Sequence, residues 1–131
     1  MTVSTYDPLD VNVVIDGTIL TGFADGVFIK VEANEDSYMT HVGAKGEVSR
    51  SRNANKTGKV IVTLAQDSPS NAYLNKLEKG TATYPVSVVD QNFDETAGGN
   101  DCWILKRPGA EYGKEIGNRE WTFVVPKLAI D

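Results

Sequence analysis

At 131 residues the chain is long enough to bury one hydrophobic core and too short for two; 40% hydrophobic and 24% charged residues are ordinary globular proportions, which excludes wholesale disorder. No uninterrupted apolar run approaches the ~20 residues of a spanning helix, and the opening MTVSTYDPLD lacks the basic and apolar regions of a secretory signal, so no membrane anchor and a cytoplasmic origin are expected. The formal charge of -5 is uneven: from Lys45 to Lys59 the five basic residues Lys45, Arg50, Arg52, Lys56 and Lys59 meet only Glu47, a window of +4 against -9 for the remainder, which fits a nucleic-acid patch, a basic loop docked on another copy, or a solvated loop.

Period-two alternation dominates in chain order. Residues 11–15 and 18–22 read as short strands. In 26–33, Val27, Ile29, Val31 and Ala33 share one parity while Phe28, Lys30 and Glu32 take the other, which predicts a strand with one buried face. Glu32, Glu35 and Asp36 mark a hairpin tip where water solvates the carboxylates. Strands are expected again at 37–42 and 47–52. The segment 43–58 offers almost no apolar anchor of its own. It is therefore either a projecting loop or hairpin that orders on a neighbour, or a plain mobile loop. Residues 59–66 place Val60, Val62 and Leu64 on one side and Ile61, Thr63 and Ala65 on the other; two nearly apolar faces predict a central strand between layers.

One helix interrupts the strands, over about 69–79. Ser68 can accept an orphan backbone hydrogen bond as N-cap, Pro69 has the fixed φ suited to a first helical position, and Gly80 can adopt a left-handed stop. Tyr73, Leu74 and Leu77 share one face among polar residues, which predicts a helix on the flank of the sheets, and Lys76 and Lys79 complement its dipole. Strands at 85–89, 101–106 and 120–125 complete the set, with Asp90, Asp94, Glu95 and Asp101 around Gly98-Gly99 reading as a turn. Many short strands with one helix predict a mainly β fold, a sandwich or barrel, in a single domain spanning 1–131.

Familiar chemistry finds little support. His41 is the only His, in a strand-like stretch where a structural imidazole fits better than a general base. Cys102 precedes Trp103, Ile104 and Leu105 and reads as a buried small hydrophobe, not a nucleophile. The acidic runs do not match the spacing of a calcium loop, and Gly58-Lys59 lacks the earlier glycine of a phosphate loop and leads into a strand. The basic window has no aromatic residues to stack on bases, which leaves only nonspecific phosphate contact. No cofactor, no metal and no enzymatic activity are expected.

Two polar stretches carry a resemblance. SRSRNANKTGKVIVTLAQDSPSN at 49–71 is similar to the central signature of the contractile-phage (myovirus-type) tail tube family, and PGAEYGKEIGNREWT at 108–122 resembles that family's C-terminal motif. Asp90 and the Trp103-Ile104 pair agree, and the similarity keeps its order from about Gly22 to Val125. The family is itself similar to the tube of the type VI secretion machine.

The resemblance implies two packed antiparallel sheets with one flanking α-helix, assembled as stacked hexameric rings. It implies an inner barrel built from four strands of each subunit, and an extended loop that reaches an adjacent ring. By position 43–58 is that loop, so Lys45, Arg50, Arg52, Asn53, Asn55 and Lys56 are candidates for contacts between rings. Lys30 and Glu32, on the polar parity of their strand, are candidates for a lumen expected to be polar and net negative. The implied partners are further copies of this chain, sheath and baseplate proteins, and genomic DNA that passes without specific binding. The implied location is the virion tail, with host cytoplasm as the place of assembly. A tail-terminator or secretion-tube ring protein is the nearest alternative, and a small nucleic-acid-binding β-barrel a further one.

Overall fold

Short alternating segments separated by Gly, Asn, Asp and Pro become ten strands and one α-helix in the computed structural model, which describes residues 3–131. The first two residues of the N-terminal segment lie outside the described residues. The strands are β1 (Val11–Ile15), β2 (Thr18–Ile19), β3 (Ile29–Ala33), β4 (Tyr38–Val42), β5 (Val48–Arg52), β6 (Gly58–Ala65), β7 (Tyr84–Asp90), β8 (Glu95–Lys106), β9 (Asn118–Val125) and β10 (Ala129–Ile130); the helix α1 is Ser70–Lys79. Hydrogen bonding runs β2-β1-β7-β8-β9-β6-β3, β10 joins β8, and β4 with β5 forms a separate two-stranded ribbon. Every pairing is antiparallel.

The long strand β8 belongs to both layers of the sandwich. Its first part pairs with β7, as in Val88 with Ala97, and its end pairs with β9, as in Trp103 with Val124. One sheet is thus β2-β1-β7-β8 and the other β8-β9-β6-β3. Val13, Ile15, Leu20, Val86 and Val88 from the first meet Val60, Val62, Leu64, Trp121, Phe123 and Val125 from the second in one buried core, each side chain contributing about 1.5–3 kcal/mol by leaving water. In β6 the burial alternates as the sequence pattern requires, but Ile61, Thr63 and Ala65 remain half-buried, so its second face is not covered by another layer within this chain.

Three local expectations need correction. Gly98 and Gly99 lie inside β8, and the turn is at 91–94 instead. Glycine is required there by close approach: a Cβ on Gly98, whose φ is +140°, would sit 1.9 Å from the Val86 carbonyl oxygen. The strand expected over 26–33 begins only at Ile29, leaving Val27 exposed, while Ile29 and Val31 pack on the core as the parity requires. Gly80 ends the helix in an extended conformation (φ -81°, ψ 173°) and not a left-handed one.

The start of α1 is shifted by one residue from the expected cap: the helix begins at Ser70 with Pro69 at the cap position, while the Ser68 side chain still takes up a backbone N–H of the first turn. Ser68 Oγ accepts from Ser70 N at 3.2 Å and donates to the Thr21 carbonyl at 2.5 Å, while Ser70 Oγ accepts from Thr21 N at 2.9 Å. Asn71 extends the tie: its Nδ2 donates to the Ala65 carbonyl at 3.0 Å, and its Oδ1 accepts from Trp121 Nε1 at 3.0 Å. Tyr73, Leu74 and Leu77 turn to the core, and Tyr73 OH donates to the Ile15 carbonyl at 3.0 Å. The helix therefore closes one flank of the sandwich.

β10 was not foreseen. Val124 pairs with Trp103 and Ala129 with Gly98, which is one unbroken register along β8 interrupted between Val125 and Ala129. Pro126, which has no N–H, falls in that interruption, and Leu128 N donates instead to the Lys56 carbonyl at 2.9 Å.

Candidate functional site

The basic window becomes part of an arm. β4 and β5 pair from Tyr38–Arg52 to Val42–Val48, and their turn closes through Gly43 N to the Glu47 carbonyl at 2.7 Å, with Gly46 at φ +88°. Alternation puts Tyr38, Thr40, Val42, Val48, Arg50 and Arg52 on one face and Met39, His41, Ser49 and Ser51 on the other. Neither face is covered. Val42 and Val48, directly opposed near the tip, are 68% and 69% exposed.

The candidate contact residues divide by position. Asn53 and Asn55 are engaged at the root of the arm. Asn53 N donates to the Ser37 carbonyl at 2.8 Å and its Nδ2 to the Asp36 carbonyl at 2.9 Å; Asn53 Oδ1 accepts from Asn55 N at 2.9 Å. Asn55 Nδ2 donates to Glu35 Oε2, and Asn55 Oδ1 accepts from Thr57 N and Oγ1 at 3.0 and 2.7 Å. These bonds splint the two chain segments that carry the ribbon, so the two amides shape the arm rather than present themselves at its tip. Arg50 lies on the arm with its guanidinium 4.3 Å from the Tyr38 ring centroid, a cation–π contact worth roughly 0.5–1 kcal/mol at an exposed site. Lys45, Arg52 and Lys56 form no ion pair among the described residues, where the pairs found are Lys30–Glu32 and Arg107–Glu78.

Lys30 and Glu32 face outward on β3, their side chains 3.5 Å apart. Register carries that face across the sheet: Lys30 opposes Ile61 and Ile61 opposes Thr122; Glu32 opposes Lys59 and Lys59 opposes Val124, which opposes Trp103. The outer surface of β8-β9-β6-β3 is a mixed polar and apolar plane, and β3 is its unpaired border.

The side chains with nucleophilic or acid–base character have structural surroundings. His41 Nε2 meets Ser51 Oγ at 3.2 Å across the arm, far from Cys102 in the core. Burial pushes the Cys102 thiol up, with the Asp101 charge adding to it and a bond from Val86 opposing. Burial likewise pushes the Tyr84 phenol up to about 12, against a smaller opposing effect of the nearby Ile104 backbone, which does not reach good hydrogen-bond geometry, so that among the described residues the buried hydroxyl has no well-formed partner. Among the described residues no group of three or more His, Cys, Asp or Glu is placed to hold a metal ion, and no helix is long and apolar enough to cross a membrane.

The sequence reading missed the apolar part of the arm. It assigned the arm's importance to charge at 43–58, whereas Tyr38, Met39 and Val42 extend it ahead of that window and Val48 stands within it. The signal was available in two short strand segments separated by five residues with two glycines, the pattern of a hairpin.

A family model described as bacteriophage PhiTE tail tube protein matches residues 3–131. The chain belongs to the phage tail tube family. No curated protein matches the sequence. Among solved structures, this tail tube family chain is similar to the sheath/tube terminator of an extracellular contractile injection system in its extended state, with TM-score 0.65 and 7% identity over 100% of this chain and 99% of that one. It is also similar to a chain of the virion of a native gene transfer agent particle, with TM-score 0.66 and 12% identity over 97% and 99%. A third likeness is to the sheath-tube complex of the same type of injection system, with TM-score 0.61 and 9% identity over 97% and 91%. At these identities the likeness is one of fold, and it agrees with the two antiparallel sheets and single helix described above. The family is one of structural phage tail tube proteins, which is not an enzymatic class.

Proposed function

We propose that this chain is the repeating subunit of the tube itself. Six copies close into a ring, rings stack, and the resulting hollow conduit passes genomic DNA inside a contractile sheath that is built with it on a baseplate in the host cytoplasm. The observation that carries this reading is the β4–β5 arm: a splinted ribbon with an uncovered apolar tip and unpaired basic side chains contributes nothing to its own chain's core. Lys45, Arg50, Arg52 and Lys56 are the contacts offered to the adjoining ring, and Asn53 and Asn55 aim them.

The outer face of β8-β9-β6-β3 supplies the four strands that line the channel, with Lys30 and Glu32 on its border strand. By alternation Lys30, Lys59 and Lys106 share that face with Glu32, Glu120 and Asp101, so its charges offset each other. A near-neutral lining of mixed polar and apolar residues, where a polar and net negative one was expected so that DNA slides without sticking, still gives DNA little counterion-release affinity. Pairing the border strand β3 with a neighbour in the ring removes an exposed edge.

A second reading, a terminator ring that caps a tube, is favoured by the fold likeness to the injection-system terminator and to the tube-terminating cap of the anti-feeding prophage. Negative-stain microscopy of the purified protein at rising concentration separates the two. Long hollow particles support the tube subunit, discrete rings support the terminator, and a 14.2 kDa monomer under every condition contradicts both.

A further inference from the structure

Residues 3–28 and 84–102 hold eight carboxylates and no Lys or Arg. Where these stretches meet, the N-terminal segment is clamped onto the turn between β7 and β8. Asp7 N donates to Asn92 Oδ1 and Asn92 Nδ2 donates back to the Asp7 carbonyl, both at 2.9 Å. Gln91 N donates to the Asp10 carbonyl at 3.0 Å, and Asp90 Oδ1 fixes Asn92 by accepting from its N and Nδ2 at 2.9 Å. The clamp lays the Tyr6 ring over Phe93 with centroids 6.4 Å apart and planes 13° apart. Both rings stay 55% exposed, and Val3 and Leu9 on the same segment are open to water.

A backbone clamp that holds two aromatic rings in solvent does little for the fold of its own chain. Aromatic side chains fixed at a surface and rimmed by charge are the anatomy of an interface centre. We infer that this patch is the seat for the β4–β5 arm of a second copy. The arm brings Lys45, Arg50 and Arg52 against a rim of Asp7, Asp10, Asp94 and Glu95, and its apolar tip, Val42 with Val48, meets Tyr6 and Phe93. Both halves are uncovered in the single chain. Arm and seat are different surfaces, so each copy offers one of each, and the contact propagates from copy to copy instead of closing on a pair. Opposite charge adds steering and register to the apolar contact.

The inference rests on the tube-subunit reading, and its test keeps the two apart. Val48→Cys and Phe93→Cys are placed in one chain, where the native Cys102 is buried and gives little background. Mild oxidation under assembly conditions should yield a ladder of covalent multimers on a denaturing gel, while each single variant stops at the dimer or below. In parallel, Arg50→Glu with Arg52→Glu should raise the concentration needed for assembly at least tenfold, and adding Asp10→Lys with Glu95→Lys should restore most of it. Wild-type particles that are hollow and long, with neither ladder nor rescue, overturn the seat and leave the tube reading standing. A wild type that stays monomeric at every concentration, with no ladder, overturns both.

Discussion

Val48 and Val62 are the same residue type on strands separated by five residues, and one is 69% exposed while the other is fully buried. The difference divides the molecule. β6 pairs on both sides and its buried face meets the opposite sheet and Leu74 of the helix, so each apolar side chain there works for this chain's own stability. β5 pairs only with β4, meets no layer, and keeps its shape through the amide bonds of Asn53 and Asn55 at its root. An isolated two-stranded ribbon is marginal in water. Nothing among the described residues covers its apolar side chains, whereas those of the sandwich are covered by the chain's own layers.

Substitutions in the sandwich should therefore cost stability, and those in the arm should cost association. The largest expected effect is Gly98→Ala, whose Cβ has no room beside the Val86 carbonyl; a loss of about 4 kcal/mol or more should show as insoluble or unfolded protein by circular dichroism. Trp121→Ala, at 1% exposure, should lower unfolding stability by about 3–5 kcal/mol in urea titration. Asn71→Ala leaves Trp121 Nε1 without its acceptor and removes the donor that the Asn71 amide gives to the Ala65 carbonyl at the end of β6, so about 1–3 kcal/mol is expected in the same titration.

Tyr84→Phe should change stability by less than about 1 kcal/mol at neutral pH, because the hydroxyl it removes has no well-formed partner. The same variant has a pH signature. The folded phenol is raised from 10.0 to about 12, so its contribution is fully present below pH 10 and is lost as pH rises from there toward 12. Wild-type stability should fall more steeply across that window than that of Tyr84→Phe, and parallel curves would argue against the buried assignment. The smallest effect on the fold is expected at the arm: Val42→Ser with Val48→Ser should leave the urea midpoint within about 0.5 kcal/mol of wild type while reducing assembly seen by sedimentation.

Much of the sandwich was legible because local signals agreed with tertiary packing. β1 matches its expected bounds, the parity of β6 gives its buried face, and Ser68 with Pro69 marks the entry to α1. The first half of β8 was not, since two glycines among carboxylates carry the composition of a turn, and only the carbonyl of Val86 on the neighbouring strand explains them. Val27 keeps strand parity yet falls outside β3, because the β6 residue it would face by register, Leu64, is bridged to Phe23 instead, and the chain between Ala24 and Phe28 leaves the ladder. The arm's charge was visible along the chain, but its apolar tip depends on Val42 meeting Val48 across the ribbon, and the Tyr6–Phe93 stack joins residues far apart in sequence through Asn92. Contacts of that kind are set by register and long-range hydrogen bonds, which residue patterns alone do not specify.

The most direct measurement replaces residues 38–52 with a short Gly-Ser linker and follows thermal unfolding and particle formation together. The account expects a melting point within a few degrees of wild type and no tubes at concentrations where wild type forms them. A variant that still builds tubes, or one whose sandwich melts with the loss of the arm, would contradict the division of the molecule into a self-sufficient body and an arm made for another copy.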